Sequence, residues 1–255
     1  MDLILRSLLG IPLIQPGDDL CTILNNALIE NQIELESGDI IVVAQKIVSK
    51  AENRLYYLPE VQPSGEALRL ASITGKDPRL VELILRESKE VLRADRGLLI
   101  VEHKLGFVCA NAGIDHSNVR GPWGSQTDWY LLLPEDPDTS ARRLRQYFRD
   151  TQSVDIGILI IDSHGRAWRN GVLGTTIGLA GVPGIIDMRG TQDLFGYELK
   201  STTIAAADEL AASASLMMGQ AAEKIPAMHV RGFPYSLRDS SLDELLRAKE
   251  RDLFR

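Results

Sequence analysis

The chain has 255 residues, 44% of them hydrophobic and 25% charged, so it can bury a sizeable core in one large or two modest domains. A formal net charge of −7 and only two cysteines, Cys21 and Cys109, argue against bulk attraction to nucleic acid, a disulfide framework or a cysteine zinc site. The apolar start carries Asp2 and Arg6 and lacks a cleavage site, and the longest uncharged run, residues 170–186, is broken by glycine. We therefore expect a soluble, cytoplasmic protein without nucleic-acid or membrane partners.

Two periodicities mark the secondary structure. Short apolar runs between turn residues predict strands buried on both faces, and apolar residues every three or four positions predict amphipathic helices. In chain order, the predicted elements are a helix over residues 18–31, a strand over 39–45, a helix over 79–93, strands over 97–102, 106–110 and 130–133, a helix over 139–149, a strand over 155–162, a helix over 203–218, a strand over 226–231 and a helix over 242–254.

Capping residues support two of the helices. Asp19 suits the N-cap of the first, and Asp77 followed by Pro78 suits the start of the second. Strands and helices alternate only irregularly, which predicts a mixed α+β fold rather than a doubly wound sheet. No repeat or linker-like stretch marks a boundary, although one near residues 150–152 is an alternative. We therefore treat residues 1–255 as a single unit and leave a division into two subdomains open.

Several common catalytic motifs are absent from the sequence. There is no GxxxxGK[ST] loop, no GxGxxG after a strand and no GxSxG elbow, and the four histidines show no HxH or HxxxH spacing. The remaining candidates are polar residues that follow predicted strands, because open sheets bind their ligands there.

Two such groups come from the first half of the chain. Gln45, Lys46 and Lys50 follow the first predicted strand, and a lysine ammonium suits a phosphate as a point charge. The alternative interpretation is that the two lysines lie on the solvated surface. Asp115 and Asn118 end a weakly polar run, which fits a ligand of Mg²⁺ or Mn²⁺. For Asp115 the alternative is a turn aspartate that bonds its own backbone.

A third group follows the strand predicted over residues 155–162. Asp162 and Ser163 place a carboxylate and a hydroxyl at the end of a buried strand, a recurring way to hold Mg²⁺ beside phosphates. Arg166 and Arg169 nearby suit an anionic substrate. The alternative is a hairpin turn flanked by solvated arginines.

The fourth group ends the alanine-rich helix. Gln220 or Glu223 can supply oxygen to a metal or a base, whereas the alternative is a plain helix end at Gly219. Asp208 and Glu209, inside that helix, are interpreted as a solvated face. Together the four groups indicate an oxygen-ligated divalent cation, a phosphate and an anionic partner. A nucleotide-dependent ligase, a phosphohydrolase and a non-catalytic nucleotide binder all remain open on the residues alone.

Longer stretches carry a resemblance to a known family, in order and over nearly the whole chain. They are GIPLIQPGDDL (10–20), SGDIIVVAQKIVSKAEN (37–53), GFVCANAGID (106–115), IIDSHGRAWRNGVLGTTIGLAG (160–181), DMRGTQDLFGYEL (187–199), ADELAASASLMMGQAAE (207–223) and LLRAKERDLFR (245–255). In them the chain resembles the coenzyme F420-0:L-glutamate ligase family. The resemblance implies mixed sheets with packed helices in a two-part α+β fold, and a homodimer. Some members are fused to a nitroreductase-like domain, for which this chain is too short, so we expect the ligase part only.

The resemblance also implies a reaction. GTP activates a carboxylate of the deazaflavin precursor F420-0 as an acyl phosphate, and the amine of L-glutamate then attacks it, releasing GDP and phosphate. Further glutamates extend a γ-linked tail. This chemistry needs Mg²⁺ or Mn²⁺ at two sites, with potassium as an additional ion in some members, and it needs no protein nucleophile.

The site residues that the resemblance implies are carried over position by position. The GTP contacts are Ile11, Pro12, Leu13, Ile14, Gln45, Lys46, Lys50, Asn118, Met218, Gly219, Gln220, Ala221, Ala222, Glu223, Lys224 and Ile225. One cation falls on Asp115 and Asp162, and a second on Ser163 and Gln220. From charge alone, we assign a grip on the anionic substrate to Arg166, Arg169 and Arg189.

Three positions depart from the family pattern. Gln45 stands where histidine is common, Ser163 where threonine is common, and Ala222 replaces an acidic residue. Ser163 keeps the hydroxyl, whereas the other two have less ability to titrate or carry charge. Two alternatives follow: a γ-glutamyl ligase of another acceptor, such as a folate-like tail, and a nucleotide-binding homologue without ligase activity.

Overall fold

The computed structural model describes residues 2–252. Its strands are β1 (Ile4–Ser7), β2 (Ile40–Ala44), β3 (Leu55–Tyr57), β4 (Ser88–Asp95), β5 (Leu98–His103), β6 (Val108–Ala110), β7 (Trp129–Leu131), β8 (Gly157–Arg166), β9 (Arg169–Ala180), β10 (Ile186–Asp187), β11 (Thr203–Ile204) and β12 (Ala227–Arg231). Its α-helices are α1 (Leu20–Glu30), α2 (Gln45–Ala51), α3 (Gly65–Thr74), α4 (Pro78–Arg86), α5 (Pro137–Gln152) and α6 (Ala206–Met218).

A mixed five-stranded sheet organises the larger part of the fold, in the order β1-β12-β2-β8-β9. Strands β2 and β8 run parallel, with Ala44 level with Ile161, and the other neighbours pair antiparallel. The end of β2 therefore lies beside Ile161, at a position called the carboxyl edge below, and β8 continues past it to Arg166 paired with β9 alone. Strand β12 runs the opposite way, so the chain before it reaches the same edge, where the backbone N–H of Ala44 donates to the carbonyl of Pro226.

Both faces of this sheet are covered, which explains why β2 is apolar without alternation. Ile41 and Val43 pack with α1 and α5 in one hydrophobic core, and Ile40 and Val42 pack with α6 in another. All four side chains are fully buried. Burial of each contributes about 1.5–3 kcal/mol to folding.

The alanine-rich helix α6 lies very close to β9, as its composition predicts. A Cβ added to Gly174 of β9 would fall 2.4 Å from the carbonyl oxygen of Ala211 and 2.4 Å from Cβ of Ser215. Only a residue without a side chain therefore fits opposite the helix at this point.

A smaller antiparallel sheet, β4-β5-β6, lies beside the large one. Helices α3 and α4 cover it, and its separate core includes Leu70, Ile84, Leu99 and Cys109. Cys109 is thus a packing residue, as its apolar surroundings in the sequence suggest. Phe107 packs against this core and against both cores of the large sheet, which places it where the two sheets meet.

The mixed α+β fold predicted from the sequence is confirmed. Each predicted strand is present, and α1 begins where expected, with the Asp19 side chain accepting from the backbone N–H of Cys21. The helix predicted over residues 139–149 is longer at both ends, and residues 150–152, considered as a boundary, form the last turn of α5. The helix predicted from residue 203 starts three residues later because Thr203–Ile204 pair as β11 with β10.

The helix predicted over residues 79–93 is wrong in its second half. It ends at Arg86, and residues from Ser88 onward form β4, which pairs antiparallel with β5. The hydroxyl of Ser88 donates to the carbonyl of Ile84 at 2.6 Å and closes the last turn. Pairing with a neighbour distant in sequence thus overrides the local helical pattern.

The predicted C-terminal helix is also wrong over the part that the structure describes. Residues Leu242–Glu244 and Lys249–Arg251 form two short 3-10 turns, and residues 253–254 of the prediction lie outside the described range. Leu242 is buried in the core beneath α6, and Lys249 bonds to Glu90 at 2.6 Å. Contacts with other elements therefore shape this segment more than its own periodicity. Within residues 2–252, no helix has the length and apolar character needed to cross a membrane.

Candidate active site

A cleft of about 2410 Å³ opens at the carboxyl edge of the large sheet. It is larger than the space that one drug-sized ligand usually fills, so it has room for a nucleotide beside a second substrate. Every implied nucleotide contact lines it, namely residues 11–14, Gln45, Lys46, Lys50, Asn118 and residues 218–225. The implied cation ligands Asp115, Asp162, Ser163 and Gln220 line it as well.

Asp115 joins the first two groups of the sequence. Its backbone pairs with Leu131, and its carboxylate accepts from Gln45 Nε2 at 2.5 Å and contacts Lys46 Nζ at 2.5 Å. Gln45 is buried and its own oxygen accepts from the hydroxyl of Ser49, so the direction of its amide is fixed. Asp115 is therefore neither a solvated turn residue nor bonded only to its own backbone.

The electrostatics of Asp115 favour a cation. Burial raises its pKa above the ordinary value, and the charge of Asp162 raises it further, while Lys46 opposes both. The carboxylate charge is thus incompletely compensated by the protein. A metal ion between Asp115 and Asp162 would relieve both the burial cost and the repulsion.

Asp162 and Ser163 lie inside β8, not in a turn, because the hairpin reverses at residues 167–168. Burial alone would raise the pKa of Asp162, but the neighbouring His164 and Lys46 hold it below its ordinary value. Asp162 therefore remains charged beside the less acidic Asp115, so the pair presents at least one permanent carboxylate to the cleft.

The segment after α6 closes the site from the other side. Gly219 ends the helix with a φ of 74°, so it is a helix terminus as well as a cleft residue. Gln220 Oε1 accepts from the hydroxyl of Ser163 at 2.8 Å, and its Nε2 donates to Ser215 Oγ. The hydroxyl and the amide oxygen thus lie side by side, as a shared oxygen site requires.

Lys50 and Asn118 link the two sides of the cleft. Lys50 Nζ donates to the carbonyl of Asn118 at 2.8 Å, and Asn118 Nδ2 donates to the carbonyl of Ala221 at 2.8 Å. Burial lowers the pKa of Lys50, and the charge of Lys46 lowers it further. An anion between the two lysines would relieve this repulsion.

The donor set fits a hard divalent cation. Carboxylate, hydroxyl and amide oxygens are the ligands that Mg²⁺ and Mn²⁺ accept. Among residues 2–252, no three His, Cys, Asp or Glu side chains already stand together as a complete metal site. An ion at Asp115 or Asp162 therefore has few protein ligands and leaves positions for water or substrate phosphates, as is usual for Mg²⁺.

The three arginines assigned from charge are placed differently. Arg166 lines the cleft, whereas Arg169 starts β9 and Arg189 pairs with the exposed carboxylate of Asp187. The latter two are not among the cleft residues, so of the three arginines only Arg166 lies in the cleft, and its grip on an anionic substrate stays a prediction.

Sequence reasoning gave no functional role to several cleft residues. Arg93, Arg120 and His164 line the cleft, and so does Asp208, whose carboxylate accepts from the backbone N–H of Thr176. For His164 a signal was available, because a residue two positions after Asp162 on a strand faces the same side. The interpretation of Asp208 as merely solvated does not hold, since it caps a backbone group of β9.

The fold and this cleft define a mixed α+β protein with an acidic, lysine-flanked site at the end of a sheet. The model of the family described as F420-0:gamma-glutamyl ligase matches residues 9–232. A coenzyme F420:L-glutamate ligase of Methanothermobacter thermautotrophicus is 46% identical over 96% of both chains, and that of Methanopyrus kandleri is 46% identical over 95% of this chain and 93% of its own. The enzyme of the same description from Methanocaldococcus jannaschii is 39% identical over 97% and 95%. The chain belongs to the F420-0:gamma-glutamyl ligase family.

Proposed function

We propose that this protein is a GTP- and divalent-cation-dependent ligase that adds L-glutamate to the coenzyme F420-0 precursor and then extends a γ-linked tail. The observation that carries the proposal is the convergence of Lys46, Lys50, Asp115 and Asp162 in one cleft. The names of the similar enzymes supply the substrate class.

The reaction proceeds in two displacements. A carboxylate oxygen of the acceptor attacks the γ-phosphorus of GTP, and GDP leaves as the bond to the bridging oxygen breaks. The glutamate amine then attacks the carbonyl carbon of the acyl phosphate, and inorganic phosphate leaves. Mg²⁺ or Mn²⁺, when bound, neutralises phosphate charge and aligns the in-line transfer.

The residues of the chain have separate roles in this scheme. Lys46 and Lys50 flank the position of the phosphates, and Asp115 with Asp162 would hold one cation. Ser163 and Gln220, whose oxygens are 2.8 Å apart, would hold a second. Lys46 Nζ contacts the Asp115 carboxylate at 2.5 Å, and it would be available to a phosphate oxygen if a cation took over that carboxylate.

Residues 11–14 and 218–225 supply the walls of the nucleotide site. Ile14 is buried while Leu13 projects into solvent, so this segment offers backbone groups and an apolar side chain to a bound nucleotide. Arg166 reaches the same cleft and is the arginine that we assign to the acidic acceptor or to glutamate. Arg166→Ala is expected to raise the KM of one of these substrates without raising that of GTP.

We propose further that the protein acts as a homodimer. Leu194 and Phe195 are 97% and 94% exposed, and Tyr197 beside them is also exposed. Such a run of apolar side chains is costly in water and is suited to a second copy of the chain. Sedimentation of the wild type and of Phe195→Glu tests this: a dimer that becomes a monomer supports it, and a monomeric wild type contradicts it.

The ligase proposal is tested by phosphate release from GTP with Mg²⁺ or Mn²⁺ and L-glutamate, with and without F420-0, and with and without K⁺. Mass spectrometry of the acceptor accompanies the assay. Release that requires F420-0, with a gain of one or more glutamates, supports the proposal. Release with a folate-type acceptor instead would support the alternative acceptor, and metal-dependent GTP binding without turnover would support a non-catalytic nucleotide binder.

A further inference from the structure

His164 occupies an unusual position in the cleft. Its Nε2 lies 3.0 Å from Oδ2 of Asp162, and the side chain is only 13% exposed. Nevertheless, no hydrogen bond of acceptable direction involves this buried nitrogen within the described residues. The two atoms are thus within hydrogen-bond distance, but the axis of the ring nitrogen does not point at the carboxylate oxygen. It points beside that oxygen.

The separation of these two atoms fits a shared metal ion. Two adjacent ligands of an octahedral cation, each about 2.1 Å from it, are about 3.0 Å apart. When an imidazole nitrogen is directed beside a carboxylate oxygen, a lone pair from each atom can reach the same ion. An isolated buried nitrogen, by contrast, would lose a hydrogen bond without any compensation.

The fold holds the ring in this orientation. Asp162 and His164 are two residues apart on β8, so both side chains face the cleft. The ring of Phe107 packs against that of His164 with centroids 5.1 Å apart, and the ring of His103 stacks on Phe107 at 5.2 Å. The imidazole is therefore positioned before any ion arrives.

We propose that His164, through Nε2, is a nitrogen ligand of the cation that Asp162 binds. This inference rests on the cation site of the proposed function and specifies its chemistry. An imidazole suits first-row transition ions better than Mg²⁺, whereas a carboxylate suits both. The Asp162 site therefore selects Mn²⁺ over Mg²⁺, while the site of Ser163 and Gln220 offers oxygen alone.

The test is pulsed electron paramagnetic resonance of the full-length protein with Mn²⁺, with and without GDP. Coupling of the manganese electron spin to ¹⁴N reports a coordinated imidazole directly, without any activity measurement. His164→Phe removes the nitrogen but keeps a ring against Phe107. His116→Phe is the matched control, because it removes the imidazole of the residue that follows Asp115. The His116 ring stacks on Tyr130.

The expected result is ¹⁴N coupling in the wild type and in His116→Phe, and its loss in His164→Phe together with at least about a tenfold weaker Mn²⁺ affinity. His164→Gln, which offers an amide oxygen, is expected to bind Mn²⁺ without the nitrogen signal and controls for misfolding. Mn²⁺ binding without ¹⁴N coupling in the wild type, or coupling lost only in His116→Phe, would overturn this inference and leave the cation site standing. A wild type that binds no Mn²⁺ would overturn the cation site itself and the inference with it.

Discussion

Two acidic sites, one buried and one partly buried, lie at opposite ends of the same sheet, and their charges are compensated in opposite ways. Asp39, just before β2, is 2% exposed, and its carboxylate contacts His229 Nε2 at 2.8 Å and Arg231 Nη2 at 2.7 Å. Burial opposes its charge, but Arg231 and His229 together hold its pKa well below the ordinary value. At the carboxyl edge, the pKa of Asp115 is raised instead.

The difference lies in the partners. The imidazole and guanidinium that face Asp39 are planar groups held by β12, so their geometry is set by the backbone of the sheet. Asp115 instead depends on Lys46, a single charge on a flexible stem, and is repelled by Asp162. A fixed pair stabilises the fold, whereas a loosely compensated one can exchange its protein partner for a ligand.

The largest expected effect is a loss of catalytic activity when the site at the carboxyl edge is changed. Asp162→Asn is expected to reduce acceptor-dependent phosphate release by about a thousandfold, because a lost cation site removes several kcal/mol of transition-state stabilisation. Asp150→Asn, an exposed aspartate on α5, serves as the control and should retain activity. Full activity in Asp162→Asn would remove Asp162 from the metal site.

The second effect is on stability at the other end of the sheet. Asp39→Asn is expected to lower the free energy of unfolding at pH 7 by about 3 kcal/mol, because it leaves Arg231 and His229 without their buried partner. Urea denaturation measures it, and the activity of the folded fraction should be unchanged. Glu36→Gln, which removes an exposed partner of the same arginine, should cost less than about 1 kcal/mol.

The pH dependence of stability gives a second test of the stabilising role of Asp39. Because the pKa of Asp39 is lower in the folded protein than its unfolded value of about 3.9, its contribution is complete above that value. It is lost as the pH falls further toward the folded pKa. The wild type should therefore lose stability below about pH 4 more steeply than Asp39→Asn. Parallel curves would show that another carboxyl dominates acid unfolding.

The architecture was largely predictable because each buried strand is marked by its own composition. Strand β2 is continuously apolar since both of its faces are covered, and Asp19 caps α1 through a local bond. The predictions of secondary structure fail where contacts between residues distant in sequence determine the conformation. Residues after Arg86 leave the helix to pair with β5, and the segment after Leu242 is shaped by α6 and by Glu90, neither of which its own periodicity reveals.

The same distinction applies to the candidate site. Sequence position placed Lys46 and Asp162 at strand ends, and the parallel pairing of β2 and β8 explains why they meet. The bond between Gln45 and Asp115 joins residues 70 positions apart, so no local pattern could predict it. Identification of residues 218–225 as part of the same cleft came from family resemblance, because a helix end alone does not show what it faces.

A smaller effect concerns the lysines of the cleft. Lys50→Met is expected to weaken GTP binding by about tenfold, equivalent to about 1.4 kcal/mol, because a partly desolvated ammonium beside a phosphate is lost. Titration calorimetry with GTP measures it, and the loss should shrink as salt is raised. Lys76→Met is the matched control, a partly buried lysine whose pKa is also lowered by burial but which does not line the cleft. An equal loss in both variants would indicate a general charge effect.

The smallest expected effect is on the free energy of unfolding, which Asp115→Asn should raise and Asp39→Asn should lower. Because the pKa of Asp115 is raised in the folded protein, its ionisation opposes folding as the pH rises through the unfolded value of about 3.9, and the cost is complete above the folded pKa. Asp115→Asn should therefore stabilise the protein at pH 7 by up to about 1 kcal/mol, while GTP-dependent activity falls. The gain should vanish near pH 3, where the carboxyl is neutral in both states. Lys46, 30% exposed, can turn to water when its partner is lost, so it limits the gain without reversing it. A destabilised Asp115→Asn would instead mean that the bond with Lys46 is a fixed structural pair like that of Asp39, and the contrast between the two ends of the sheet would fail.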